Sequence, residues 1–88
     1  MQHEQFLQQL SELGFTEPVL VQYPKNGYLD QHNHPFEVWA LVVEGSLKIQ
    51  IDGVVHSYTV GDVFHLDYAQ PHSEYYGSSG VKYLASRK

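Results

Sequence analysis

The sequence contains no cysteine and few basic residues. The absence of cysteine among its 88 residues excludes disulfide bonds, thiolate metal ligands and cysteine nucleophiles. Five lysine and arginine residues stand against ten acidic residues, which gives a formal net charge of -5. Such a chain has no basic stripe to neutralise phosphates, so we expect no nucleic-acid partner. Any bound metal must be held by histidine and carboxylate groups.

Long apolar runs and targeting segments are also missing. No stretch approaches the roughly 20 apolar residues of a membrane-spanning helix. The first fifteen residues, MQHEQFLQQLSELGF, have neither the basic nor the apolar region of a signal peptide. We therefore expect a cytoplasmic protein without a membrane partner. The 42% of apolar residues indicates a folded chain, and its length predicts a single domain over residues 1–88.

The hydrophobic pattern predicts one short helix followed by strands. Over residues 1–14, apolar residues recur at helical spacing and a glycine follows them as a stop: Phe6, Leu7, Leu10, Leu13 and Gly14. Over residues 18–88, short β-type runs separated by Gly, Pro, Asn and Asp predict seven or eight strands. Turns are expected at Glu44-Gly45 and Asp52-Gly53. So many short strands in a small chain favour an all-β sandwich or a closed barrel.

The run from residue 38 to residue 43, VWALVV, is apolar on both faces of its predicted strand. Val38, Ala40 and Val42 share one face, and the residues between them share the other. One face should line the interior, and the helix or a second subunit must cover the other. This strand, the amphipathic helix and the small size together lead us to expect a homodimer.

Two histidines precede this strand. His32 and His34 are two residues apart on an extended segment, so their imidazoles project from the same face and can share one ion. The alternative is a polar loop before Pro35 with no metal. A third histidine, His72, follows the segment GDVFHLDYAQP, and a small barrel can bring it to the other two. Histidine and carboxylate groups suit a divalent transition metal such as Fe, Zn, Ni or Mn.

Both segments carry a family resemblance. Residues 27–45, with Gly27, the HxH pair, an acid and Gly45, are similar to the first cupin motif, and residues 61–72 are similar to the second. The segment SLKIQIDGVVHSYTV joins them as the hairpin expected between the two motifs. The resemblance implies a small cupin-type double-stranded β-helix, or jelly-roll barrel, with a short N-terminal helix.

The same resemblance implies a ligand set. It places His32, His34 and His72 on a metal, with Glu37 as the candidate fourth ligand. The acid sits one position earlier than in the family, and strict strand alternation turns Glu37 outward unless Pro35 forces a bulge. Glu74, two residues after His72 on the same face, is the substitute. In the second motif, Asp67 replaces a proline that is often found there.

Other residues near the motifs are weaker candidates for ligands. Tyr76 shares a face with His72 and Glu74 and is the tyrosine best placed to line a ligand pocket. Gln70 is a weaker metal ligand than Glu74. The remaining histidines, His3, His56 and His65, have the pattern of exposed residues, and His65 alternates with two apolar neighbours.

Three functions from different classes fit these features. The first is a metal-dependent cupin enzyme, such as a dioxygenase or isomerase, that acts on a small organic molecule. The second is a cupin that binds or senses a small molecule without metal. The third is an interaction module whose barrel is filled with side chains. A three-histidine set favours metal binding, and the sequence specifies neither the metal nor the substrate.

Overall fold

Six strands and one helix make up the fold. A computed structural model describes residues 1–88. In chain order the elements are α1 His3–Leu13, β1 Val19–Tyr23, β2 Tyr28–His32, β3 Val38–Ile51, β4 Val54–Thr59, β5 Val63–Leu66 and β6 His72–Arg87. The predicted helix and the mainly β character are confirmed. The helix α1 is too short to cross a membrane.

The two longest strands, β3 and β6, each serve two halves of one antiparallel sheet. The first part of β3 pairs with β5 and with the second part of β6, and β1 adds to the edge of β6. We call these four strands the first half-sheet. The second part of β3 pairs with β4 and with the first part of β6, to which β2 adds. These four form the second half-sheet, and the two halves together give the jelly-roll arrangement.

The bend in β3 lies at Gly45, where the sequence predicts a turn. This prediction is wrong, because β3 continues through Gly45 and its pairing with β6 shifts register on both sides of it. Gly45 has a φ of 73°, and a Cβ added there would lie 2.0 Å from the carbonyl oxygen of Gly80. A glycine is needed here for a bulge within a strand.

The second predicted turn is confirmed. Asp52 and Gly53 connect β3 to β4 with φ values of 49° and 78°. Positive φ at both central residues is the geometry of the two-residue hairpin turn that matches the twist of its strands.

Strand 38–43 packs against other elements on both faces, although Val43 at its end is 39% exposed. Val38, Ala40 and Val42 belong to the main core between the half-sheets. On the other face, Leu41 packs against Phe6 and Leu10 of α1 in a second, smaller core. Each buried Val, Leu or Phe side chain here contributes about 1.5–3 kcal/mol to folding. The helix therefore supplies the cover for this face of β3.

Candidate metal centre

The fold brings the three predicted histidines together. His32 ends β2 and pairs in register with His72, the first residue of β6. His34 follows β2 by two residues. One ring nitrogen from each of these histidines lies within 4.8 Å of the others. His72 is only 1% exposed, whereas His32 and His34 are half-buried. The three imidazoles thus converge on a point at the wall of the barrel interior.

Backbone carbonyls fix how two of these rings present their nitrogens. Nδ1 of His32 lies 2.7 Å from the carbonyl oxygen of Asp30, and Nδ1 of His72 lies 2.8 Å from that of Gln70. A carbonyl oxygen only accepts, so Nδ1 carries the proton and donates in each ring. The lone pair of each Nε2 is left free. Both Nε2 atoms are buried, and neither makes a hydrogen bond of good geometry.

A buried carboxylate, Glu74, faces the same two atoms. Its Oε2 lies 3.3 Å from Nε2 of His32 and 3.4 Å from Nε2 of His72. The carboxylate is 5% exposed and needs positive charge nearby to offset its desolvation. One β-strand supplies both groups, since His72 and Glu74 alternate onto the same face of β6. Glu74 is therefore the acidic group that the structure brings to the histidines.

Burial and neighbouring charges move the histidine pKa values in opposite directions. Burial, with smaller contributions from His32 and His72, lowers the pKa of His34. Burial also acts to lower the pKa of His72, but the Glu74 carboxylate and the Gln70 carbonyl outweigh it and raise that pKa overall. The Glu74 carboxylate thus favours a positive charge at His72.

Glu37, the fourth ligand implied by the family pattern, lies elsewhere. Its Oε1 is 2.5 Å from Nε2 of His65 on the outer face of the first half-sheet. The backbone of Glu37 exchanges two hydrogen bonds with Lys88, so Glu37 continues the pairing of β3. No bulge resets the alternation, and Val38 points inward in its place. The structure thus places Glu74, and not Glu37, close to the histidines.

Tyr76 lies beside the candidate site but does not line its cavity. Its ring stacks on Tyr23 at 4.5 Å, and its hydroxyl is buried without a partner. Two other tyrosines, Tyr23 and Tyr83, line the cavity. Burial, followed by the charge of Glu74, raises the pKa values of both Tyr76 and Tyr83. The sequence offered only alternation as a signal for these residues, because β1 and the end of β6 carry no motif.

A cavity of about 490 Å³ opens in front of the histidines. The three histidines and Glu74 form its polar part. Its walls are mainly apolar and come from β1, β3, β5, β6 and the segment before β3: Val19, Val21, Phe36, Val38, Phe64, Leu66 and Ala85. Thr16, Glu17 and Arg87 also contribute to the lining. A concave apolar site with a few convergent polar groups is the usual form of a small-molecule site.

The protein is a small jelly-roll barrel in which three histidines converge at the wall of the interior. Residues 19–80 match the cupin domain family. The chain therefore belongs to the cupin family, as the two motifs led us to expect. No curated protein matches the chain.

Solved structures share the fold at low sequence identity. An RmlC-like cupin from Shewanella frigidimarina is 25% identical with a TM-score of 0.66, covering 81% of this chain and 65% of its own. KdgF from Halomonas sp. is 17% identical with a TM-score of 0.67. The match covers 80% of this chain and 66% of KdgF.

A structurally characterised enzyme also contains a barrel similar to this one. Oxalate decarboxylase from Bacillus subtilis, described for its Mn(II) centres, is 22% identical with a TM-score of 0.72. The match covers 90% of this chain but 23% of that enzyme. The chain spans less than two thirds of the length of each of these three proteins.

Proposed function

We propose that this chain is a metal-binding cupin that binds or acts on a small organic molecule in its barrel. His32, His34 and His72 would hold one divalent transition metal, Fe, Zn, Ni or Mn, with Glu74 as the fourth ligand. The observation that carries the proposal is the convergence of the three imidazoles, with one ring nitrogen from each within 4.8 Å of the others and the buried Nε2 atoms of His32 and His72 close to Glu74. In His32 and His72, Nδ1–H donates to a backbone carbonyl. The ring N–H that does not face the metal typically donates in this way in metal-ligating histidines.

The donor set fits a transition metal. Three imidazoles and one carboxylate are the nitrogen and oxygen ligands that iron, manganese, nickel and zinc accept. The Glu74 carboxylate and the ion would each offset the burial cost of the other. The Mn(II) centres of the structurally similar oxalate decarboxylase support this proposal at the level of the fold.

The cavity gives the site its chemistry. A divalent ion held here would polarise a carbonyl group or lower the pKa of bound water. The apolar walls, including Phe36, Val38 and Phe64, would hold the body of the ligand and keep water away from it. Glu74 and the hydroxyls of Tyr23 and Tyr83 are the chain's own candidates for holding a proton near the ligand.

Elemental analysis of the purified protein tests the metal. We expect about one equivalent in the wild type and less than a tenth of that in His34→Ala. His65→Ala is the matched control, because His65 lies outside the cluster and its loss should leave the metal content unchanged. Wild-type protein that stays metal-free after incubation with each of the four ions would contradict the proposal. Ligand binding by that metal-free protein would support the metal-independent alternative.

We also propose a homodimer and a cytoplasmic location. The dimer is supported by the edge strand β1, where Val19 is 64% exposed and Leu20 is 60% exposed. β1 pairs only with β6, so its outer backbone groups are free to pair with another chain. Val19 also lines the cavity, so a partner there would narrow the opening.

A further inference from the structure

One cationic side chain reaches the cavity. Among the lysines and arginines of the chain, only Arg87 lines it. The Arg87 guanidinium carbon lies 5.0 Å from the centre of the Phe36 ring, and Phe36 stacks on His34 at 5.2 Å and 17°. Arg87, Phe36 and His34 thus form a stack that runs from the candidate metal centre to the guanidinium. The register of β6 on β3, where Arg87 pairs with Val38, fixes this position.

The guanidinium has no acidic partner within the protein. No carboxylate lies within 4.0 Å of Arg87, although Glu17 also lines the cavity. The face of an aromatic ring attracts a guanidinium but leaves its in-plane N–H groups free to donate. These donors are arranged in the fork that binds a carboxylate through two parallel hydrogen bonds. Arg87 is therefore positioned and unpaired.

Charge at the polar part of the cavity points the same way. The Glu74 carboxylate would offset only one of the two positive charges of a bound divalent ion. An anionic ligand group would be attracted both to that ion and to Arg87, with apolar walls that strengthen the attraction. A neutral ligand of the same shape would gain neither interaction.

We propose that the cavity takes small carboxylic acids with an apolar body, and that Arg87 is the carboxylate-binding residue. This inference deepens the proposed function, on which it rests, by naming the ligand class of the same site. The carboxylate binds the guanidinium fork, and the apolar part lies against Phe36, Val38 and Phe64. Glu17 also lines the cavity, and its negative charge repels an anionic ligand. Removing that charge should therefore strengthen the binding of the acid.

Matched pairs of acid and amide test this inference. Phenylacetate with phenylacetamide, and butyrate with butyramide, have nearly the same shape and differ in charge. Calorimetric titration of metal-loaded wild type is expected to show each acid binding about tenfold or more tightly than its amide. The ratio should fall several-fold in Arg87→Gln, which leaves only the attraction of the ion, and should be partly kept in Arg87→Lys. Lys88→Gln, the same charge change outside the cavity, should keep it.

A second variant and the metal-free protein separate the possible sources of acid preference. Glu17→Gln should raise the affinity for both acids by a few-fold, because it removes a like charge. If the acids bound only to the metal, Arg87→Gln would keep the full ratio, and this result would overturn the inference. Equal affinities for acid and amide would overturn it too, as would no binding of any probe up to about 10 mM.

The metal-binding proposal is tested by a separate measurement, the metal content of the protein. Metal content is measured in every sample, and its absence from the wild type would contradict the metal centre alone. An Arg87-dependent preference for the acids in that metal-free protein would still support the carboxylate site. Conversely, full metal content with no dependence on Arg87 would overturn the carboxylate site and leave the metal proposal standing.

Discussion

At the scale of single residues, strand alternation decides which carboxylate meets the histidines. Glu37 immediately precedes the inward-facing Val38, so its side chain turns to the outer face and contacts His65. Glu74 alternates with His72 on β6 and turns inward. The acid at the family's position in the first motif therefore does not reach the histidines. Glu74, from β6, lies near His32 and His72 instead.

Neutralising these two glutamates one at a time should have different effects on metal binding. Glu74→Gln removes the charge that faces His32 and His72, and we expect metal affinity to fall about 10- to 100-fold. Glu37→Gln is the matched control and should leave the affinity within about twofold, since its partner is His65. Competition with a chromogenic chelator measures both. A larger loss in Glu37→Gln than in Glu74→Gln would contradict the assignment.

Tyr28 and Asp30, whose side chains are outside the proposed ligand set, allow a pH test. The Tyr28 hydroxyl donates to Oδ1 of Asp30 over 2.9 Å, and this bond, with the Asp30 charge, raises the Tyr28 pKa to about 12. The unfolded chain releases this proton near its ordinary value of 10.0, so the contribution of Tyr28 to stability is present below that pH. It is lost as pH rises towards 12.

The tyrosinate absorbance during alkaline titration should report this interaction. Asp30→Asn is expected to bring one tyrosine back towards its ordinary pKa, because the neutral amide attracts the phenol proton less strongly. Asp52→Asn, a change of the same kind in the β3–β4 hairpin, should leave the titration unchanged. Identical curves for wild type and Asp30→Asn would show that the hydrogen bond does not hold the proton in solution.

The sequence predicts which residues lie near the site better than it predicts the direction in which their side chains point. The HxH spacing and the second motif identified His32, His34 and His72, because motifs place residues on strands. Whether Glu37 faced inward depended on a possible bulge at Pro35, which the sequence alone does not resolve. Arg87, Tyr23 and Tyr83 reach the cavity through pairing between distant strands, and no local pattern signals such pairing.

At the scale of elements, glycines let the two long strands pass between half-sheets. Gly45 of β3 lies against Gly80 of β6, with φ values of 73° and 74°. A Cβ at Gly45 would meet the carbonyl oxygen of Gly80, and a Cβ at Gly80 would lie 2.7 Å from the carbonyl oxygen of Tyr23, so neither position has room for a side chain. The sequence pattern marked these glycines as breaks between strands, because a glycine with positive φ serves turns and bulges alike.

Gly45→Ala should destabilise the protein strongly. The new Cβ would meet the Gly80 carbonyl oxygen at 2.0 Å, and the residue would also hold an unfavourable φ. We expect a loss of about 3 kcal/mol or more in the free energy of unfolding. Gly53→Ala is the control, with a similar φ of 78° but open space around it, and should cost about 1 kcal/mol. Urea unfolding measures both, and equal losses would argue against the close approach.

At the scale of the whole molecule, the exposed edge of the first half-sheet bears on assembly. The helix α1 already covers the outer face of β3, so the doubly apolar strand does not itself require a partner. The edge strand β1 does leave apolar surface, with Leu20 on the side away from the cavity lining. The expected dimer therefore rests on this edge.

A charge on β1 should prevent the proposed dimer from forming. Leu20→Lys places a lysine on an exposed edge position, where it opposes strand pairing with a second chain. We expect light scattering to give a dimer mass for wild type and a monomer mass for Leu20→Lys at the same concentration. Val55→Lys, at an exposed position of another edge strand, β4, is the matched control and should stay dimeric. A monomeric wild type would refute the homodimer.

The sharing of β3 and β6 between both half-sheets also orders the events of synthesis. β1 and β2 have no pairing partner until β6 emerges, since β6 is the only strand to which either is bonded. Until then the nascent chain holds a β3–β4–β5 fragment with open edges. The barrel can therefore close only after β6 has been made, and the many non-local pairings of β6 predict slow and cooperative folding.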